Sequence, residues 1–329
     1  MHAIFPFSIR HFFFAACGAC LLVFASGCAA ADTDNETAKA PKAAEGEAVA
    51  ENQKQLLEKY NAVVKGAKEA ATIVSYLNEN LPQADVTTAD AMVRGLNAFY
   101  DKDLQPTQES FFQGNVQEVL AGAEWPITAV NASSIPDEKV RQLVATKLAG
   151  GYKMVMVEGM IYPIVDYELQ KTFTKKLSDD LNAYIAIQAE ESRQPTAMDA
   201  SLVISWNELA KRTINTESYL KQYPGAPESD SVRQLFINSY LTMYIIGLNN
   251  SPVFDYDTFK LRNEVKESYE ETVREHPDSV TGQIVSAYMK LLESTDWKVY
   301  EKRNGQQADI PEVKQFHDRF AADAQGMLP

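Results

Sequence analysis

From about residue 51 onward, apolar side chains recur at three- and four-residue intervals, the spacing of a helix with one buried stripe. Leu56, Tyr60, Val63, Ala67, Ala70, Val74 and Leu77 follow a 4-3-4-3-4-3 rhythm, and Leu57, Val64 and Ala71 widen the stripe. The pattern predicts one long helix over about 51–80, ended by Pro82. Thr87-Thr88-Ala89-Asp90 has capping-box spacing and opens a helix over roughly 88–101, with Met92, Leu96 and Phe99 on its apolar face. Short helices near 107–112 and 115–121 follow, and Ser134-Ile135-Pro136-Asp137 starts another that runs to Gly150-Gly151.

The run Tyr152–Glu168 is apolar without a clear period, with Met154, Val155, Met156, Val157, Met160 and Ile161. With no second strand pattern beside it, it is expected to be a buried helix broken near Gly159 and Pro163. Helical signals then continue near 177–192. Thr196-Ala197-Met198-Asp199 is expected to cap a helix burying Leu202, Val203, Trp206, Leu209 and Ala210. Residues 231–248 are apolar nearly all round and are expected to be central, with Asn249-Asn250 forming a cap and turn. Helices near 258–275, 279–294 and 311–324 close the chain.

Two segments repeat weakly. Leu220-Lys221-Gln222-Tyr223-Pro224 precedes Val232, Phe236 and Tyr240, and Val273-Arg274-Glu275-His276-Pro277 precedes Val280, Ile284 and Tyr288. Both read as helix, Pro-containing turn, helix. The hairpin is similar to those of tetratricopeptide-type solenoids. The prolines are 53 residues apart, against about 34 in that family, and its Trp-Leu-Gly-Tyr pattern is missing. Only the helical-hairpin architecture is carried over. The fold class is therefore all-α, either a multi-helix bundle or an irregular α-solenoid of hairpins.

The first 28 residues follow another logic. Arg10 is the one full positive charge, and Phe12 to Phe24 is apolar. That run is shorter than the roughly 20 residues a spanning helix needs, and it fits a signal h-region. Ala25-Ser26-Gly27 then precede Cys28. The segment resembles the lipobox of bacterial lipoproteins, departing from it in Ala25 where Leu is usual and in its sparse positive start. The resemblance implies removal of 1–27 and lipidation of Cys28, with the lipid as the link to the membrane. The anchored protein would face outward from the cell, on the outer membrane where the organism has one. Residues 28–50 contain almost no large apolar side chain and are expected to be the lipidated cysteine and a disordered tether. Residues 51–329 are expected to form one helical domain with a sub-boundary near 195.

The charge narrows the partners. The chain has 31 Lys+Arg against 45 Asp+Glu, a net charge of −14, and loss of Arg10 with the signal would make it −15. Without a basic patch, nucleic-acid binding is excluded. The expected partner is an envelope protein or a cell-wall component.

Catalytic chemistry is sparse. Beyond the signal only His276 and His317 remain, both expected on the surface and neither in metal-ligand spacing. Phosphate loops, dinucleotide fingerprints and Gly-x-Ser-x-Gly elbows are missing. The imelysin-type His-x-x-Glu signature is missing too. No cofactor and no metal site is predicted, and the expected role is not enzymatic. The one arguable site is a carboxylate pair. In a helix, Glu158, Tyr162 and Asp166 would share a face at i, i+4, i+8, with Tyr167 and Trp206 as candidate neighbours. Such a pocket could bind a small ligand or metal ion. As an acid–base pair, Glu158 and Asp166 could serve a hydrolase. The plainer expectation is that these groups hold the core together and that Trp206 is a core anchor.

Overall fold

The computed structural model describes residues 40–329, with side chains from residue 46 onward. The expected export segment, Cys28 and the start of the expected tether lie outside the described residues.

The first helix, α1 (Ala40–Gly66), begins about eleven residues before the periodicity starts. Residues 46–50 are exposed, so this turn of chain buries nothing and leaves no apolar stripe to read. The stretch 40–50 is rich in Ala, which favours helix without a core. The expected single helix over 51–80 is in fact two. The chain breaks after Gly66, and α2 (Ala70–Asn80) folds back along α1. The Gln53 amide fixes the hairpin, donating to the Gln83 carbonyl and accepting from the Asp85 amide. The heptad rhythm survives the break because Tyr60, Ala70, Ile73 and Leu77 all enter one core.

Helix α3 (Val86–Ser110) is capped by Asp85, whose carboxylate accepts from Thr88 N at 2.8 Å. It runs through Pro106, absorbing the short helix expected at 107–112. Then come α4 (Val116–Ala121) and α5 (Glu138–Ala149), the latter capped by Asp137. Gly151 ends the α5 connection at φ 78°, with its Cα against the Tyr100 hydroxyl.

The apolar run 152–165 is an antiparallel hairpin, not a kinked helix. Strand β1 (Tyr152–Val157) pairs with β2 (Met160–Val165) across the two-residue turn Glu158-Gly159. Both turn residues have positive φ, 50° and 77°, as a type I′ turn requires. The missing partner strand is the second half of the same run. Alternation is masked because Tyr152, Met154, Ile161, Pro163 and Val165 are buried on one face while the other face is also apolar and half-buried. The outer edge of β2 is closed by side chains: Gln117 bonds both the N–H and C=O of Ile161, and Gln108 donates to the Pro163 carbonyl.

The short α6 (Tyr167–Gln170) leads through a 3₁₀ turn into α7 (Asp179–Arg193). Hairpin β3 (Ala197–Met198) and β4 (Ser201–Leu202) occupies the place expected to be the cap of the next helix. That helix, α8 (Trp206–Gln222), starts later, capped by the Ser205 hydroxyl, so Leu202 and Val203 lie outside it. The central helical run comprises α9 (Ser229–Gln234), a π-helical stretch Leu235–Leu241 and α10 (Thr242–Ile246). Hairpin β5 (Gly247–Leu248) and β6 (Ser251–Pro252), α11 (Asn263–Glu275) and α12 (Val280–Ser294) follow. Hairpin β7 (Tyr300–Arg303) and β8 (Gln306–Asp309) leads to the closing α13 (Pro311–Met327).

The described residues form a helical domain whose only sheets are these four two-stranded hairpins. Each hairpin is the connector between consecutive helices. The weak sequence repeat is visible in the backbone. Tyr223 and His276, each just before a proline, end α8 and α11 at nearly the same dihedrals, φ −128°, ψ 54° and φ −131°, ψ 50°. The restriction a proline places on its predecessor explains the shared non-helical exit.

Core packing changes within α7. Leu181 and Ile185 belong to a cluster with α1–α3, whereas Ile187 joins the large cluster of α8–α13. Arg94 clamps this junction, bonding Asp180 on α7 at 2.8 Å and Glu228 before α9 at 2.7 Å. Burial alone would lower the Arg94 guanidinium, but the Glu228 hydrogen bond and the charges of Glu228, Asp180 and Asp90 outweigh it and hold it fully charged.

Candidate functional site

The structure does not bring the sequence-predicted residues together. Glu158 is exposed at the tip of the β1–β2 hairpin, while Asp166 follows its base and caps α6 by accepting from Glu168 N. Five residue steps of strand separate tip from base, roughly 17 Å at about 3.4 Å per step. The helical face that would have joined Glu158, Tyr162 and Asp166 does not form. Tyr162 instead packs on Phe112, with ring centroids 5.0 Å apart. Tyr167 meets Tyr184 edge-on at 6.4 Å, and burial raises its phenol above the usual range. Trp206 lies in the first turn of α8, half-buried against the C-terminal core. A two-carboxylate hydrolase built on Glu158 and Asp166 therefore has no geometry to work with.

An open groove of about 280 Å³ lies between α8 and α11. Its position follows from the faces of α8. Leu209, Thr213, Thr216 and Leu220 turn inward and are buried, and α7 and α11 flank the helix on its two sides. Before the exposed C-terminal end at Lys221 and Gln222, what remains is a narrow exposed stripe of Asn207, Lys211, Asn215 and Ser218. The four recur at i, i+4, i+8 and i+11, one side of a helix. Across from them α11 presents Glu271, Glu275 and, at its end, His276. The floor is Ala210, Ile214, Ser268 and Thr272. The two floor hydroxyls are already satisfied, since Tyr244 reaches Ser268 at 2.8 Å and Thr272 at 2.9 Å from behind.

The groove is rigidly framed. Asn207 donates across it to Glu271 at 2.6 Å. Beneath its flank, Arg212 is 1 % exposed and ties α8 to the preceding connector. Its Nη1 donates to Glu191, the Gln194 carbonyl and the Thr196 hydroxyl, and its Nε donates to Glu208. Glu191 also accepts from the hydroxyls of Thr196 and Tyr240. Tyr240 belongs to the π-helical stretch, so this element and two helices meet at one carboxylate. At the other end, buried Glu217 accepts from Val280 N and Thr281 N, caps α12 and pairs with Lys221. A carboxylate at a helix N-terminus satisfies orphan amides and complements the helix dipole.

No family model, characterised relative or solved structure matches the chain. Asn215 makes no side-chain bond among the described residues, and Lys211 is held only by Glu208 at 3.5 Å. The groove thus offers an amide with donor and acceptor, a cation and carboxylates over a floor of small and apolar side chains whose two hydroxyls are already bonded. These groups can bind and orient a polar chain. Among the described residues there is no group of three or more His, Cys, Asp or Glu placed to hold a metal ion.

His276 is exposed, in line with the sequence expectation. His317 is not a free surface residue: it is half-buried on α13 with Nε2 2.8 Å from the Tyr288 hydroxyl. The Arg94, Arg212 and Glu217 clusters were missed because each joins residues far apart in sequence. The groove stripe was findable: polar residues at helical spacing interrupt an otherwise buried helix.

Proposed function

We propose that the protein is a lipid-anchored envelope protein without catalytic activity, whose helical body binds an extended polypeptide in the α8–α11 groove. The carrying observation is the pair Asn207 and Asn215 on one exposed stripe of α8. Eight residues of helix place them about 12 Å apart. An extended peptide advances about 3.3 Å per residue, so the two amides span close to four residues. An Asn amide supplies both a donor and an acceptor, matching the alternating groups of a peptide backbone. The groove's volume, about 280 Å³, falls just below the roughly 300–1,000 Å³ of small-molecule sites, which suits a short segment of a larger partner.

The membrane link in this reading is the lipid on Cys28, and the partner is another envelope protein. A photocrosslinking residue placed at Asn215 in intact cells should give a discrete protein adduct. The same residue at Arg303, exposed on β7, should not. Identical adduct patterns from both positions, or none from Asn215, would end the groove reading. The anchor has its own assay: an alkyne fatty acid fed to cells should label the chain, and Cys28→Ser should abolish labelling.

A further inference from the structure

We propose that the loop 254–261 is a rigid platform for a neutral glycan, built around Tyr256. Tyr256 is 60 % exposed, yet it is held in place. Its ring meets Phe254 edge-on, with centroids 5.1 Å apart and planes at 73°, so it stands on an aromatic base. Its hydroxyl donates to the Asn249 carbonyl at 3.2 Å. The Asp255 carboxylate accepts from Asp257 N, Thr258 N and the Thr258 hydroxyl, which fixes the loop from within. Asp255 N donates to the Lys260 carbonyl and closes its base. The neighbouring β5–β6 turn is pinned as well, through Asn250 to the carbonyls of Asp199 and Ala200.

Little of this ordering serves the core, because Asp255, Tyr256, Asp257 and Thr258 are all exposed. The result is a fixed, exposed aromatic ring tied by its hydroxyl to the Asn249 backbone and followed in the loop by Asp257. The Asn249 amide and the Asp257 carboxylate, both on exposed residues, make no side-chain bond among the described residues. Sugars present apolar C–H faces that pack on aromatic rings, and hydroxyls that accept hydrogen bonds from amide N–H groups and donate them to carboxylates. Pre-positioned groups bind at lower entropic cost. Asp255 and Asp257 place two carboxylates at the exposed tip of the loop, which disfavours a polyanion there. Of the cations around its base, Lys260 is paired with Asp296 at 2.8 Å, Arg262 with Glu264 at 3.1 Å, and Lys266 lies 3.7 Å over the Trp297 ring. The platform is separate from the α8–α11 groove, so its failure leaves the peptide reading standing, and the reverse.

The test titrates the purified full chain in detergent with chitotetraose, cellotetraose and maltotetraose, and with heparin as the polyanion, by calorimetry. Saturable binding of at least one neutral tetrasaccharide is expected. Tyr256→Ala should weaken it at least tenfold without moving the unfolding midpoint, and Asn249→Ala or Asp257→Asn several-fold. The proposal is overturned by no binding of any neutral sugar at millimolar concentration, by binding unchanged in Tyr256→Ala, or by binding of heparin alone. Should Tyr256→Ala fail to fold, the Asn249→Ala and Asp257→Asn titrations decide in its place.

Discussion

Mild acid should loosen the closing helix through His317. This imidazole sits on α13, 5.4 Å from the Tyr288 ring and bonded to its hydroxyl. Tyr288 is fully buried and stacks on Phe316 at 4.8 Å with planes 7° apart. Burial lowers the His317 pKa from 6.5 to about 4, although Asp309 and Asp318 pull it upward. The folded protein therefore binds this proton less readily than the unfolded chain does. Stability from the neutral ring is fully present above pH 6.5 and is lost as pH falls toward 4. Two and a half pH units at about 1.36 kcal/mol each bound the loss at roughly 3 kcal/mol, of which about 2 kcal/mol is gone by pH 5. Urea unfolding at pH 7.5, 6, 5 and 4.5 reads the profile, with His317→Gln as the reference. Gln keeps a bond to Tyr288 but does not titrate. Wild type should lose about 2 kcal/mol more than the variant between pH 7.5 and 5. Parallel profiles would refute the reasoning. The aspartates held below their usual range, Asp137, Asp180, Asp255 and Asp296, lose their contributions only below about pH 4, so the two windows are separable.

Three further outcomes are expected, each read as a shift in urea midpoint. Glu158→Asn should stabilise by about 0.5–1 kcal/mol, because Asn tolerates the left-handed turn position that Glu occupies at φ 50°; a loss would contradict the type I′ turn. Gly151→Ala should cost at least about 2 kcal/mol, since the position is left-handed and a Cβ would strike the Tyr100 hydroxyl. Arg212→Ala should cost about 3 kcal/mol or more by removing the cation paired with Glu191 and Glu208 and leaving the Gln194 carbonyl without its donor, and Arg212→Lys should not restore it, because one ammonium cannot cover both Nε and Nη1 contacts.

Helices were legible where a stripe or a cap was local. Asp137 and Ser279 cap helices close to where their residue types predict. The C-terminal hairpins were legible because Tyr223-Pro224 and His276-Pro277 end their helices by a rule acting between neighbours. The β-hairpins were not, for three physical reasons. Their strands are two to six residues long, too short for a period to establish itself. Three of the turns place Glu158, the pair Asp199-Ala200 and Asn304 at positive φ, and only the Asn304-Gly305 pair has the preferred composition for that geometry. In β1–β2 both faces are apolar, which erases alternation.

The same hairpins explain why the candidate surfaces could not be read from the sequence. A helix stripe such as Asn207–Asn215 becomes one wall of a groove only when α11 is laid beside α8, and that placement is set by connectors. The β3–β4 turn is bonded to the β5–β6 turn by Asn250, and Leu202 N donates to Ser251. Arg262 N then bonds the Val253 carbonyl at the start of α11, and Leu261 N bonds Trp297 before β7. The connectors thus form one hydrogen-bonded row along the helix ends. That row fixes the spacing of α8 and α11, and it also carries Tyr256 to the surface. Local helix signals identify the walls of the groove. Its width, and the platform beside it, are products of hydrogen bonds between turns, most of them joining residues about 35 to 50 positions apart, for which a periodic pattern has no marker.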